Sequence, residues 1–102
     1  MTGPDLLFAA LADPTRRSLF ERLAAEGPAS ATALAARLPV SRQAVTRHLG
    51  ALAEAGLVTR STAGREVRYT AVSGPLAGVT DWVARVDADW EARLERLRRS
   101  LG

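Results

Sequence analysis

The sequence predicts a mostly α-helical domain with one small β-hairpin, in the order α-α-α-α-β-β-α. Three observations predict it. Apolar residues recur at helical spacing in five segments. Proline, glycine and short polar capping residues punctuate those segments. Only residues 57–72 switch to an alternation of period two, around a glycine. A chain of 102 residues suits one domain, residues 1–102, and can bury a core without cross-links.

Each element follows from local chemistry. Segment 4–12 (PDLLFAALA) opens on proline and is apolar enough to form a short, largely buried helix. Asp13-Pro14 then supplies a cap and a first helical position. The second helix, about residues 14–25, turns Leu19, Phe20 and Leu23 inward and stops at Gly27-Pro28. Ser30 caps a third helix, 31–38, with Leu34 and Leu38 one turn apart, and Pro39 ends it. Ser41 caps a fourth, which runs to Ala55 before Gly56 provides a left-handed stop. Two short helices joined by the tight Pro-Val-Ser link match the helix-turn-helix pattern, over residues 30–56. Leu57–Thr62 and Glu66–Val72 read as strands flanking Ala63-Gly64-Arg65, a hairpin spanning 57–72. Ser73-Gly74-Pro75 breaks the chain again, and 75–101 forms one long helix.

Charge is unevenly spread. All 14 cations are arginine, and lysine, isoleucine and asparagine are absent. Such a bias reflects base composition as readily as function, so position carries more weight than number. The first 35 residues have net charge −1 and the last 30 net 0. Residues 36–72 hold arginines 37, 42, 47, 60, 65 and 68 against Glu54 and Glu66, net +4. A localised basic region predicts a polyanionic partner.

The fourth helix, in SRQAVTRHLG, concentrates this feature. Val45, Leu49 and Leu52 form a buried stripe, while Gln43 and Arg47 lie about 160° and about 200° away from Val45. Thr46 lies at about 100°, Arg42 at about 60° on the flank, and Ser41 at the cap. A solvated amphipathic face is the plain alternative. Against it, these residue types match base edges: arginine meets two guanine acceptors, glutamine pairs with adenine, and a threonine methyl suits thymine. The hairpin adds Arg60, Arg65 and Arg68 against one acid, Glu66.

LADPTRRSLFERLA, SRQAVTRHLGALAEAGLVTR and GREVRYTAV together resemble the arsenical-repressor (ArsR/SmtB) family of winged helix-turn-helix transcription regulators. The similarity runs continuously over about residues 6–72. It implies a homodimeric repressor of double-stranded DNA, with the second motif helix in the major groove and the hairpin as a wing. Carried over by position, Ser41, Gln43, Thr46 and Arg47 face the groove, and Arg65 at the wing tip reaches the neighbouring one.

The last helix carries Leu76, Val79, Trp82, Val83, Val86, Trp90, Leu94 and Leu97 on a stripe wider than a small domain's own core. Part must cover the body. Two tryptophans on one exposed helix predict a partner surface, and a two-fold dimer through the terminal helices is the favoured use. A competing reading makes the Trp82/Trp90 surface a docking site for another protein. A small-molecule effector between terminal helix and body is a further possibility, with no ligand indicated.

Several classes are disfavoured. Without cysteine there are no disulfides, thiol chemistry or thiolate metal sites. The acids of the last helix lack histidine companions, so no metal and no cofactor is expected; these acids are instead read as paired at helical spacing, Glu91 and Glu95 near Arg98 and Arg99, or Asp81 with Arg85. His48, the one histidine, has no nucleophile in reach, so no catalytic residue and no enzyme is expected. No apolar run would span a bilayer, and MTGPDLLFAALADP lacks a positive leader, so the expected compartment is the cytoplasm.

Overall fold

A computed structural model describes residues 3–101. Its elements are α1 (Gly3–Ala12), α2 (Pro14–Glu26), α3 (Ala31–Ala35), α4 (Arg42–Glu54), β1 (Val58–Ala63), β2 (Glu66–Ala71) and α5 (Gly74–Leu101). This is a mostly helical winged helix-turn-helix. Asp13 accepts the Arg16 backbone N–H at 3.0 Å, with Pro14 at the first helical position. Ser30 and Ser41 cap α3 and α4 through the N–H groups of Ala33 and Ala44, each at 3.1 Å. Gly56 ends the fourth helix at φ +78°, a conformation that glycine adopts without steric penalty.

The core joins α1, α2, α3, α4 and the base of the hairpin. Leu19, Val45, Leu49, Leu52 and Leu57 are wholly buried, with Leu7, Leu23, Leu34 and Tyr69 around them. Each leucine so buried contributes about 1.5–3 kcal/mol. Two backbone bonds tie the wing to the body: Ala29 and Tyr69 exchange N–H···O=C contacts at 3.1 and 2.9 Å, so Ala29 acts as a one-residue third strand.

Three expectations need correction. The first helix is not largely buried: Leu7 and Ala10 are, but Phe8 is 45% exposed and meets Trp82 of α5 edge to face at 5.8 Å. The third helix ends at Ala35, not residue 38. There the chain tightens into i→i+3 bonds, Arg37 N–H to Leu34 and Leu38 N–H to Ala35, ahead of Pro39, which has no N–H to continue a helix. The hairpin turn is two residues, Gly64-Arg65, with Ala63 paired to Glu66. Gly64, at φ +65°, takes the first central position, where a tight hairpin turn calls for glycine.

α5 has 28 residues, about 42 Å of helix, and none of them is buried. Leu76 and Val79 pack partly against the core. Beyond them the helix runs outward, giving the molecule dimensions of 67 × 26 × 24 Å. Among the described residues no helix is long and apolar enough to cross a membrane.

Candidate nucleic-acid interface

Helix α4 is fixed from beneath and open above. Val45, Leu49 and Leu52 anchor it, while Ser41, Arg42, Gln43, Thr46 and Arg47 are all exposed. The Thr46 hydroxyl donates to the Arg42 carbonyl at 3.0 Å, so its proton is used within the helix and the methyl is what the residue adds to the exposed surface. His48 lies at the flank, where its Nδ1 accepts from Arg16 Nε at 3.3 Å. An arginine only donates, so Nδ1 is the acceptor in this contact, which braces α2 against α4. The same junction holds the Asp13 carboxyl below its ordinary range: the Arg16 N–H bond is the main cause, desolvation opposes it, and His48, the Thr15 N–H and the Arg16 charge add lesser help.

Between α4, the start of α3 and the wing lies an open cleft of about 540 Å³. Arg42 and Thr46 line it from α4, Ser30 and Thr32 from the third helix, and Arg60 and Arg65 from the hairpin. Register explains the membership. Arg60 pairs with Tyr69 and so shares the face that Tyr69 buries against the body, whereas Arg68 pairs with Ser61 on the opposite face.

Electrostatics sharpen this division. Arg37 is paired with Glu26 at 2.7 Å, and Arg68 with Glu66 at 3.3 Å. Among the described residues Arg42, Arg47, Arg60 and Arg65 enter no ion pair. Other arginines, such as Arg93 on α5, are also unpaired, so freedom alone distinguishes nothing. What distinguishes Arg42, Arg60 and Arg65 is convergence on one cleft, whose single acid, Glu66, is already neutralised by Arg68. Three like charges held together without a counterion make a surface of positive potential suited to an external anion.

The residues predicted from sequence therefore separate into groups. Ser41, Gln43 and Arg47 lie on the exposed side of α4; Arg42, Thr46, Arg60 and Arg65 line the cleft; Arg68 stands apart on the other wing face. Ser30 and Thr32 also belong to the cleft, beyond the residues that the sequence points to. Two hydroxyls at one helix start are the available signal, and local spacing marks Ser30 only as a cap. On α5, Trp82, Val83, Val86, Trp90 and Leu97 are each about half exposed, and Leu94 is less so. The expected Asp81–Arg85 pair does not form, because the two side chains do not approach within ion-pairing distance, whereas Glu95 meets Arg98 and Arg99 at 3.5 and 3.8 Å. Among the described residues no cluster of acidic, histidine or cysteine side chains has the arrangement of a metal site.

Known proteins are similar to this chain in sequence and fold. A family model described as a helix-turn-helix domain matches residues 11–61. The HTH-type transcriptional regulator Rv2034 of Mycobacterium tuberculosis is 52% identical over 67 residues, covering 66% of this chain and 62% of that protein. The chain thus spans under two thirds of that relative's length. The HTH-type transcriptional regulator CmtR of Mycobacterium bovis is 37% identical over 91 residues, covering 85% of this chain and 76% of that protein. In three dimensions, an ArsR-like transcriptional regulator from Rhodococcus sp. RHA1 matches with a TM-score of 0.82 at 40% identity, over 95% of this chain and 91% of that one.

Proposed function

The chain belongs to the ArsR-like helix-turn-helix transcriptional regulators, and from that premise we propose that it is a homodimeric repressor binding a palindromic operator in double-stranded DNA. The observation that carries this reading is the cleft of unpaired Arg42, Arg60 and Arg65 beside the exposed Gln43 and Arg47 of α4. In the proposed complex α4 enters the major groove. Arg47 and Gln43 bond to base edges, Thr46 meets a thymine methyl, and Ser41 with Arg42 lies near a phosphate at the helix start. Arg60 and Arg65 contact the backbone beside the groove, and Arg68 is a peripheral contributor.

One groove helix reads few bases, so a second copy is needed for a specific site. The half-exposed stripe from Trp82 to Leu97 supports pairing through α5, since such a surface on a lone chain would invite association. The protein acts in the cytoplasm and without catalysis, its single histidine being held by Arg16. With no cysteine and no free histidine in these 102 residues, it does not sense metals through soft ligands.

Selection of bound fragments from genomic DNA, followed by anisotropy titration, tests this. The expected site is an inverted repeat with half-sites about one helical turn apart. Arg47→Ala should lose about 1–3 kcal/mol on that site and relax preference at one base pair per half. Selected fragments without symmetry, or an Arg47→Ala variant with unchanged specific affinity, would overturn the reading. Salt-insensitive capture of another protein through Trp82 and Trp90 would replace it with a protein-docking module.

A further inference from the structure

A second cavity, of about 400 Å³, shares no lining residue with the basic cleft and lies between α1, the end of α4 and the first turns of α5. Its walls are apolar: Leu7 and Phe8 from α1, Ala55 at the end of α4, and Pro75, Val79 and Trp82 from α5. Phe8 and Trp82 meet edge to face at 5.8 Å and form an aromatic corner. The volume falls within the range of small-molecule sites, roughly 300–1,000 Å³.

Two features go beyond an unfilled surface. Gly78 lines the cavity from inside a helix, where glycine weakens the structure and no left-handed backbone demands it. A Cβ placed there would meet no atom within 4 Å. The position therefore faces open space along the cavity wall, which a large side chain there would occupy. The second feature is Arg85, the one charged residue on the lining. Gly78, Trp82 and Arg85 follow one another at spacings that put them on one helix face. Arg85 has no ion-pair partner among the described residues, and Asp81, one turn before it, is out of reach.

We propose that this cavity binds an amphipathic organic anion, an apolar and preferably aromatic body carrying one carboxylate or sulfonate. The body occupies the space above Gly78 between Phe8 and Trp82. The anionic group meets the Arg85 guanidinium, whose fork of donors suits such a group. The site is separate from the basic cleft, and its existence does not depend on DNA binding.

Fluorescence titration of the full chain with anilinonaphthalene sulfonate, and with the uncharged N-phenyl-1-naphthylamine, tests both features. Saturable binding of one sulfonate dye per chain is expected, tighter than the neutral dye. Gly78→Leu, which fills the cavity with a better helix former, should weaken both dyes at least tenfold while circular dichroism shows the helix intact. Arg85→Gln should weaken only the sulfonate dye, by about tenfold, the scale of a lost charge-assisted contact. Arg93→Gln, on α5 outside the cavity at an arginine unpaired among the described residues, should change neither. Wild-type binding by Gly78→Leu, equal loss of both dyes in Arg85→Gln, or loss in Arg93→Gln would overturn the proposal. The last result would assign the dye to unspecific charge along α5.

Discussion

Neutralising the wing arginines of the cleft should flatten the salt dependence of DNA binding, while neutralising the paired one should not. The comparison is Arg60→Gln/Arg65→Gln against Arg68→Gln. Each phosphate contact contributes about 0.9 to the slope of log affinity against log salt. Two contacts per chain become four in a dimer, so the double variant should lose about 3.6 from the slope. Between 50 and 200 mM salt that difference compounds to roughly 150-fold: the wild type's advantage should shrink by that factor across the range. Arg68 is engaged by Glu66 on the far wing face, so Arg68→Gln should shift the slope by less than about one. All three positions are exposed, and substitutions there should leave stability within about 0.5 kcal/mol. Anisotropy titrations on one operator at four or five salt concentrations give the slopes directly. Parallel lines for wild type and double variant, or an equal change in Arg68→Gln, would refute the division of the wing into a free face and a compensated face.

Three further outcomes are expected. Trp90→Ala should weaken self-association by at least tenfold in sedimentation equilibrium, because large aromatics dominate such interfaces. Ser41→Ala, which removes the acceptor for the Ala44 N–H, should cost about 1 kcal/mol and lower Tm by about 4–8 °C in a thermal melt, with Ser41→Asp recovering most of it. Asp13 has a folded-state pKa below its unfolded value, so its ionisation stabilises the fold above about pH 4. That contribution is lost as pH falls through the folded value. Melting temperatures of Asp13→Asn, whose amide still caps but does not titrate, should therefore fall less steeply than wild type below about pH 4.

The parts of the fold that were legible depend on chemistry within three or four residues. Asp13-Pro14, Ser30, Ser41 and Gly56 each act on their own helix end, and each does so in the structure. The stripe of Val45, Leu49 and Leu52 likewise follows from spacing alone. Long-range contacts left no such trace. The Ala29–Tyr69 bridge is made by backbone groups, which any residues would supply, and Arg16 meets His48 across 32 positions. The wing shows how small an error suffices. A three-residue loop at 63–65 would set Arg60 opposite Arg68 and put both on one face. The two-residue turn sets Arg60 opposite Tyr69 instead and sends Arg68 to the other side. One residue of register thus decides which arginines share the cleft.

The proposed anion site and the reading helix are linked through one short stretch of backbone. Leu57 donates to Leu52 at the end of α4, and Val72 donates to Leu57 just before α5 begins. A Cβ at Gly56 would lie 3.6 Å from Pro75 Cγ, an ordinary van der Waals contact, so α5 starts beside the end of α4. The angle at which α5 leaves the body is therefore set near Pro75. In a dimer clasped through α5 that angle fixes the separation of the two α4 helices, which must match about one turn of DNA. A rotation of only about 5° would displace the far end of a rod about 42 Å long by nearly 4 Å, by lever geometry. A ligand held above Gly78 between Phe8 and Trp82 lies beside the fulcrum of that lever. Small apolar contacts there are therefore well placed to alter operator affinity without touching any DNA-facing residue, provided the bound form prefers one angle over the other.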